Sequence, residues 1–297
     1  MDDRASATAL LIAAATVMRS DTSASGPAPA GAVAWCERFL STSRSHRWLR
    51  RSVQCAPGRA WWRLVESMLL LGAVSHWMRR KREIDGLARD AAAHGFTQLV
   101  VIGAGLDSLA FRLAQERLYS NVVFADHPST LKVIQRALGA DAKDMAQGIE
   151  FISVDLAQQD INVALTAVLG FDRAHATLIV IEGVLMYLPE TAVAHVLRSI
   201  ALLPNPRLRL IMSWMVAEPG KPVGFASQSR FIPAWLARRS EPMLWGSTPA
   251  AMPAFLDGLG WSNTRAIDLA GNDPSEPAEA RGLRSEQLAV AERNRPS

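Results

Sequence analysis

From residue 96 onward two hydrophobic periods alternate along the chain. TQLVVIGA, NVVFAD, IEFISVDL, ATLIVIEG and RLRLIMSWMV are short, largely apolar runs. Runs of this kind predict strands buried on both faces of a parallel sheet. Between them lie LDSLAFRLAQER, HPSTLKVIQRALGA, INVALTAVLG and TAVAHVLRSIALLP, whose apolar residues recur every three or four positions. That spacing predicts helices, with Pro128 near the start of the second and Pro204 stopping the last. Strand–helix alternation predicts right-handed crossovers between parallel strands. Further on, AMPAFLDGLGW predicts a helix, TRAIDLA a strand, 271–283 a loop and EQLAVAERN a last edge strand.

The first third has the helical period alone. Residues 5–19 and 32–55 predict helices, separated by the Ser/Pro/Gly/Ala loop 20–31. Residues 60–95 predict one or two helices, with Gly95 as the stop. The expected division is a helical N-terminal region over 1–95, an α/β core over 96–293 and a tail over 294–297. Residues 218–247 carry four prolines and predict an irregular insertion that caps the core.

Composition narrows the class. The chain has 297 residues, 49% hydrophobic and 20% charged, which suits a packed core and argues against disorder. Only Cys36 and Cys55 could form a disulfide, so a reducing, cytoplasmic setting is expected. The apolar stretch near the N-terminus spans about a dozen residues, too short for a bilayer, and follows an acidic start, unlike a signal peptide. No membrane partner is expected. The formal charge of +4 is modest. Arg44, Arg47, Arg50 and Arg51 around Trp48 raise a non-enzyme alternative, a nucleic-acid-binding α/β scaffold. A solvated helix face is the preferred reading, so no nucleic-acid partner is expected.

In an open α/β sheet ligands bind beyond the carboxyl ends of the strands. Strand one ends in Gly103-Ala104-Gly105, where small residues let backbone approach a ligand at a helix N-terminus. A nicotinamide fingerprint wants a small apolar residue where Ser108 stands, and Asp107 is a poor neighbour for a pyrophosphate. No G-K-[ST] follows, which excludes a Walker loop. A carboxylate there suits a phosphate-free ligand of net positive charge, a description met by S-adenosylmethionine. Strand two ends in Asp126, placed to accept hydrogen bonds from ribose hydroxyls. Strand three ends in Asp155-Leu156, suited to an adenine amino group and ring face. Strand four ends in Glu182, a carboxylate at the end of a buried run and costly there unless paired.

Together GAGLDSLAFRL, ADHPSTLK, VDLAQQD and EGVLMYLPE, in this order, resemble the leucine carboxyl methyltransferase family, most closely its bacterial branch of S-adenosylmethionine-dependent O-methyltransferases. SATALLIAAA and RRKREIDG are similar to that family's helical N-terminus. The resemblance spans about 5–293 and implies a class I methyltransferase (Rossmann-like) fold: seven mostly parallel strands flanked by helices, the last antiparallel. It implies S-adenosyl-L-methionine as cofactor. Gly103 would face the methionine part, Asp126 the ribose, Asp155 and Leu156 the adenine, and Glu182 the amino-acid end, with Gly105 also binding the cofactor. Arg80 matches the arginine expected to bind the methionine carboxylate, although Arg79 and Arg82 leave the register open. Two departures are Phe124-Ala125 before the ribose acid and Arg80-Lys81-Arg82 where R-T-R is common.

The expected reaction is O-methylation of a small-molecule carboxylate, in secondary metabolism. Such an acceptor is already ionised at neutral pH, so no general base and no metal are needed. Met186, Tyr187, Trp214 and Arg230 are candidates for the acceptor pocket, with Phe225, Trp245, Trp61 and Trp62 behind them. A hydroxyl acceptor such as a phenol, with His127 acting on it, and an NAD-dependent oxidoreductase are the alternatives.

Overall fold

A computed structural model describes residues 6–18, 27–66, 68, 72–218, 220, 222–225, 231–269 and 285–294. The N-terminal third is helical: α1 (Ala7–Met18), α2 (Ala32–Phe39), α3 (Arg44–Gln54), α4 (Ala56–Val65) and α5 (Ala73–Ala93). The helical stretch expected over 32–55 forms two helices. The first ends at Phe39 with Leu40 as its C-cap, and Ser43 caps the second, its hydroxyl accepting from the His46 N–H at 3.2 Å.

The core then runs β1 (Gln98–Ile102), α6 (Leu109–Gln115), β2 (Asn121–Asp126), α7 (Pro128–Leu138), α8 (Ala142–Met145), β3 (Ile149–Ser153), α9 (Ile161–Thr166), β4 (Thr177–Ile181), α10 (Glu190–Ala201) and β5 (Arg207–Met215). It closes with α11 (Phe231–Ala237), α12 (Met252–Asp257), β6 (Ser262–Asp268) and β7 (Glu286–Asn294). Helix α11 lies inside the stretch expected to be irregular. The loop expected over 271–283 falls outside the described residues.

The seven strands form one sheet in the order β3-β2-β1-β4-β5-β7-β6. β7 is antiparallel to both its neighbours, while the β1, β2, β3, β4 and β5 pairings are parallel. The expectation of an edge position for EQLAVAERN is corrected: β7 is interior and β6 is the edge. Burial explains the exchange. Glu286, Leu288, Ala289 and Ala291 are fully buried, whereas SNTRAID keeps Ser262, Asn263, Arg265, Ala266 and Asp268 exposed. A polar strand makes a safer sheet edge.

Alternate strand residues feed two cores. Leu99 and Val101 of β1 pack with α1, α2, α5, α6 and α7, and Val100 and Ile102 pack with α9, α10 and α12. The N-terminal helices therefore share a core with one face of the sheet. Chain order reverses between β1 and β4, which opens a crevice at the carboxyl ends of these strands.

Candidate active site

Three features shape the turn after β1. Gly103 has φ +66° and Gly105 φ +62°, conformations that side chains strain. A Cβ on Gly103 would meet the Val184 side chain, with Cγ1 at 3.2 Å and Cγ2 closer still. A Cβ on Gly105 would lie 2.9 Å from the Ala9 Cβ. Helix α1 thus lies against the glycine turn, and Val184 of the β4 loop lies against its other side.

Asp126, at the end of β2, reaches back to this turn. Its Oδ2 accepts from the Gly105 N–H at 2.8 Å, and its Oδ1 from the His127 N–H at 2.7 Å. Burial pushes its carboxyl up, and the bonds from Gly105, His127 and Thr130 oppose that push. Three donors leave the carboxylate one of its roughly four lone-pair sites for a further donor. His127 caps α7: its Nδ1 accepts from the Ser129 N–H at 3.3 Å, and Pro128 occupies the first turn.

Beyond β3, Asp155 organises its own turn. Its carboxylate accepts from the Ala157 N–H at 3.0 Å and the Gln158 amide at 2.8 Å. Leu156 follows, half-buried.

The densest charge lies under the β4 end. Glu182 Oε1 accepts from Arg80 Nε at 2.8 Å and Lys81 Nζ at 3.4 Å. Arg80 Nη1 also bridges both oxygens of Glu286 at 2.6 Å, and His76 Nε2 lies 2.8 Å from Glu286. Lys81 pairs closely with Asp107, which also accepts from the Leu109 N–H at 2.7 Å and so starts α6. Burial lifts the Glu286 carboxyl, but Arg80 and His76 outweigh it and bring it down to about 2. Burial likewise works against charged Lys81, and Asp107 and Glu182 reverse the direction, so its ammonium is held above the ordinary value. Arg79 turns to the Leu269 carbonyl and Arg82 to that of Pro27, while Arg80 and Lys81 face the strand ends. Arg80 Nη2 has no protein acceptor among the described residues and lies 3.4 Å from the space a Gly183 Cβ would fill.

Of this network Arg80, Lys81, Asp107 and Glu182 line one cavity of about 1310 Å³, together with Gly103, Gly105, Asp126, Asp155, Leu156 and Tyr187. Its roof is α1 and the segment after α11. The Glu241 carboxylate accepts from the Ala7 N–H at 2.9 Å and the Thr8 hydroxyl at 2.6 Å, joining the two. Burial lifts the Tyr187 phenol to about 12, opposed by a hydrogen bond with Thr8. Trp48, Arg136, Trp235, Arg238 and Arg239 complete the outer wall.

The acceptor-pocket candidates divide. Tyr187 lines the cavity. Met186 is packed inside, its carbonyl accepting from the Leu244 and Trp245 N–H groups, so it does not line the cavity. Trp214 is fully buried in the sheet core, where its indole N–H reaches the Ser247 carbonyl at 3.2 Å. Trp245 is also core, stacked near Phe255, and Phe225 lies beside His76. Trp61 and Trp62 belong to α4, away from the cavity lining. Arg230 lies outside the described residues. Sequence reasoning missed Lys81, Glu286, His76, Thr8 and Glu241. Lys81 was visible only as the departure Arg80-Lys81-Arg82 from R-T-R, and Glu286 as the start of an edge strand.

The sheet order and the cavity at its switch point define a class I methyltransferase fold. A methyltransferase structure from Thermobifida fusca superposes with a TM-score of 0.55 at 17% identity, covering 92% of this chain and 97% of that one. A DUF574 family protein from Streptomyces avermitilis gives 0.54 at 20%, covering 75% and 85%. The leucine carboxyl methyltransferase model matches residues 27–201, and the chain belongs to that family. A relative from Parafrankia sp. is 31% identical over 237 residues, 75% of this chain and 73% of its own length. Another from Mycolicibacterium smegmatis is 31% identical over 247 residues, 76% and 74%. Both carry the name of an S-adenosyl-L-methionine-dependent methyltransferase.

Proposed function

We propose that this protein is an S-adenosyl-L-methionine-dependent methyltransferase that methylates a carboxylate oxygen of a small organic acid. The observation that carries the reading is the single cavity in which the glycine turn, Asp126, Asp155-Leu156, Glu182 and Arg80 meet. The residues fit the cofactor. Positive φ and tight neighbours at Gly103 and Gly105 leave bare backbone at the turn. Asp126 keeps one acceptor site for a ribose hydroxyl. Arg80 Nη2 is the donor for the methionine carboxylate, and Glu182 is the acceptor for the amino group. Leu156 covers an adenine face, with Asp155 at its edge.

When bound, this cofactor supplies a methyl group activated by a sulfonium. The chain's own work is positioning and exclusion of water. Asp126 holds the glycine turn through Gly105 while facing the ribose position. Glu286 and Glu182 hold the Arg80 guanidinium from two sides, so its free edge is aimed before the ligand arrives. The α1–Glu241 junction roofs the cavity. Arg136, Arg238 and Arg239 give the outer wall a positive side facing an acidic acceptor. A carboxylate is ionised at neutral pH and asks for no base.

A hydroxyl acceptor is the second reading. It is favoured by two histidines in the lining, His127 and His46, and burial pushes the His46 imidazole below its ordinary value. Radiolabelled S-adenosylmethionine offered with a panel of aromatic acids and phenols separates the two. Methyl esters release volatile methanol in mild base and aryl ethers do not. Base-stable product from phenols alone would sink the carboxylate reading.

A further inference from the structure

Helix α4 has no buried residue, although it contains Trp61, Trp62, Leu64 and Val65. Trp61 is 61% exposed, Trp48 of α3 67% and Met68, just beyond α4, 65%. The exposed apolar positions of α4 recur as one stripe, Pro57, Ala60, Trp61, Leu64 and then Met68. The two helices are locked together, with the Trp62 indole donating to the Ser52 hydroxyl at 2.9 Å. Between 44 and 65 stand six arginines and no acid. These six exceed the formal excess of +4 for the entire chain, so the remainder is net acidic. The charge is therefore concentrated on one helical hairpin. Arg47, Arg51 and Arg63 are exposed there, and no carboxylate pairs with them among the described residues.

We propose that the α3–α4 hairpin docks this protein onto a bilayer surface containing anionic lipids. Exposed indoles and a methionine set among arginines match the acyl–headgroup boundary, where aromatic rings settle and guanidinium groups meet phosphates. Charge decides against the other occupants. A twofold contact with a second copy would set arginine against arginine. A nucleic acid satisfies the arginines but leaves the Met68 side of the stripe in water. Among the described residues no helix is long and apolar enough to cross a membrane, so the contact is peripheral. The sequence pattern alone predicts no membrane partner; the exposed face of α4 changes that. Ser45, His46, Trp48 and Leu49 of α3 also line the cavity, so docking by this face sets the cavity mouth beside the lipid surface.

Vesicle flotation with the full chain tests this, using phosphatidylcholine alone and with about 30% phosphatidylglycerol. The protein is expected to float with the anionic vesicles only, and to be released at about 1 M salt, where the screening length falls to ~3 Å. Arg51→Gln/Arg63→Gln is expected to lower the partition coefficient about 25-fold, taking roughly fivefold per arginine. Trp61→Ala is expected to lower it several-fold at unchanged melting temperature. Equal binding to neutral and anionic vesicles, or no loss in either variant, overturns the proposal. So does a gel shift on mixed-sequence RNA that these variants abolish while vesicles are ignored. A dimer that Trp61→Ala dissociates would assign the face to a second copy and overturn it as well. None of these outcomes depends on the methyl-transfer reading, because no arm uses cofactor or turnover.

Discussion

Gly103→Ala offers a sharp test of how the cofactor turn is built. The substitution acts in two ways. Alanine at φ +66° adopts the left-handed conformation at a cost of about 1–2 kcal/mol. Its methyl also overlaps Val184, whose Cγ1 would stand at 3.2 Å and whose Cγ2 nearer, against a normal carbon–carbon separation of about 3.5–4.0 Å. Overpacking of this kind costs about 1–3 kcal/mol. The expected loss is therefore about 2–5 kcal/mol, read by urea denaturation. Val184→Ala removes the overlapping methyls and leaves the backbone cost untouched. In the Gly103→Ala background it should recover about 1–3 kcal/mol, whereas alone it should destabilise. This opposite sign is the signature of direct contact. Titration with S-adenosylhomocysteine should follow the same order, with the double variant binding better than Gly103→Ala. A Gly103→Ala protein within about 0.5 kcal/mol of wild type, or a Val184→Ala change that merely adds to the loss, would mean that Val184 does not confine residue 103.

Other outcomes follow from the charge network and the roof. Glu286 sits at about 2 against an ordinary 4.5, so it stabilises the fold above the unfolded value and loses that contribution as pH falls through about 5 to 2. The difference corresponds to about 3 kcal/mol, and Glu286→Gln should flatten the acid limb of a stability–pH curve over that window. At neutral pH the same variant leaves Arg80 half-paired in a buried site and should cost about 3–5 kcal/mol in denaturation. Glu241→Ala removes the acceptor at the start of α1; hydrogen exchange at Ala7 and Thr8 should speed up while β1 stays protected. Burial, with Asp107 adding to it, pushes the Cys36 thiol up to about 12, whereas Cys55 is exposed. Iodoacetamide on the native protein should therefore label Cys55 alone, read by mass spectrometry.

Much of the core could be read in advance because its strands are apolar on both faces and its helices are not. β1, β2 and β4 stand where the continuous runs predict them, since nothing but a two-sided sheet buries LVVI, VVFA or LIVI. The strand-end acids were legible for the same reason: Glu182 closes a buried run and so demanded partners, which Arg80 and Lys81 supply. Strand order was not legible, because β7 reaches its interior place by a long-range pairing with β5 that no local pattern encodes. Glu286 was hidden by that error, since its role exists only once β7 is interior. The acceptor side misled for a different reason. Met186 and Trp214 have the chemistry of pocket walls, but the same apolar surface fills a core equally well, and only tertiary packing decides between them.

Calorimetric titration with S-adenosylhomocysteine, run beside NADH on wild type and Asp126→Asn, reads which cofactor the glycine turn and Asp126 accept. Micromolar binding of S-adenosylhomocysteine is expected, none of NADH, and a loss of roughly 10- to 150-fold in the variant, the worth of hydrogen bonds to a charged acceptor. Binding of NADH in place of S-adenosylhomocysteine, or an Asp126→Asn protein that binds as tightly as wild type, would contradict the cofactor assignment.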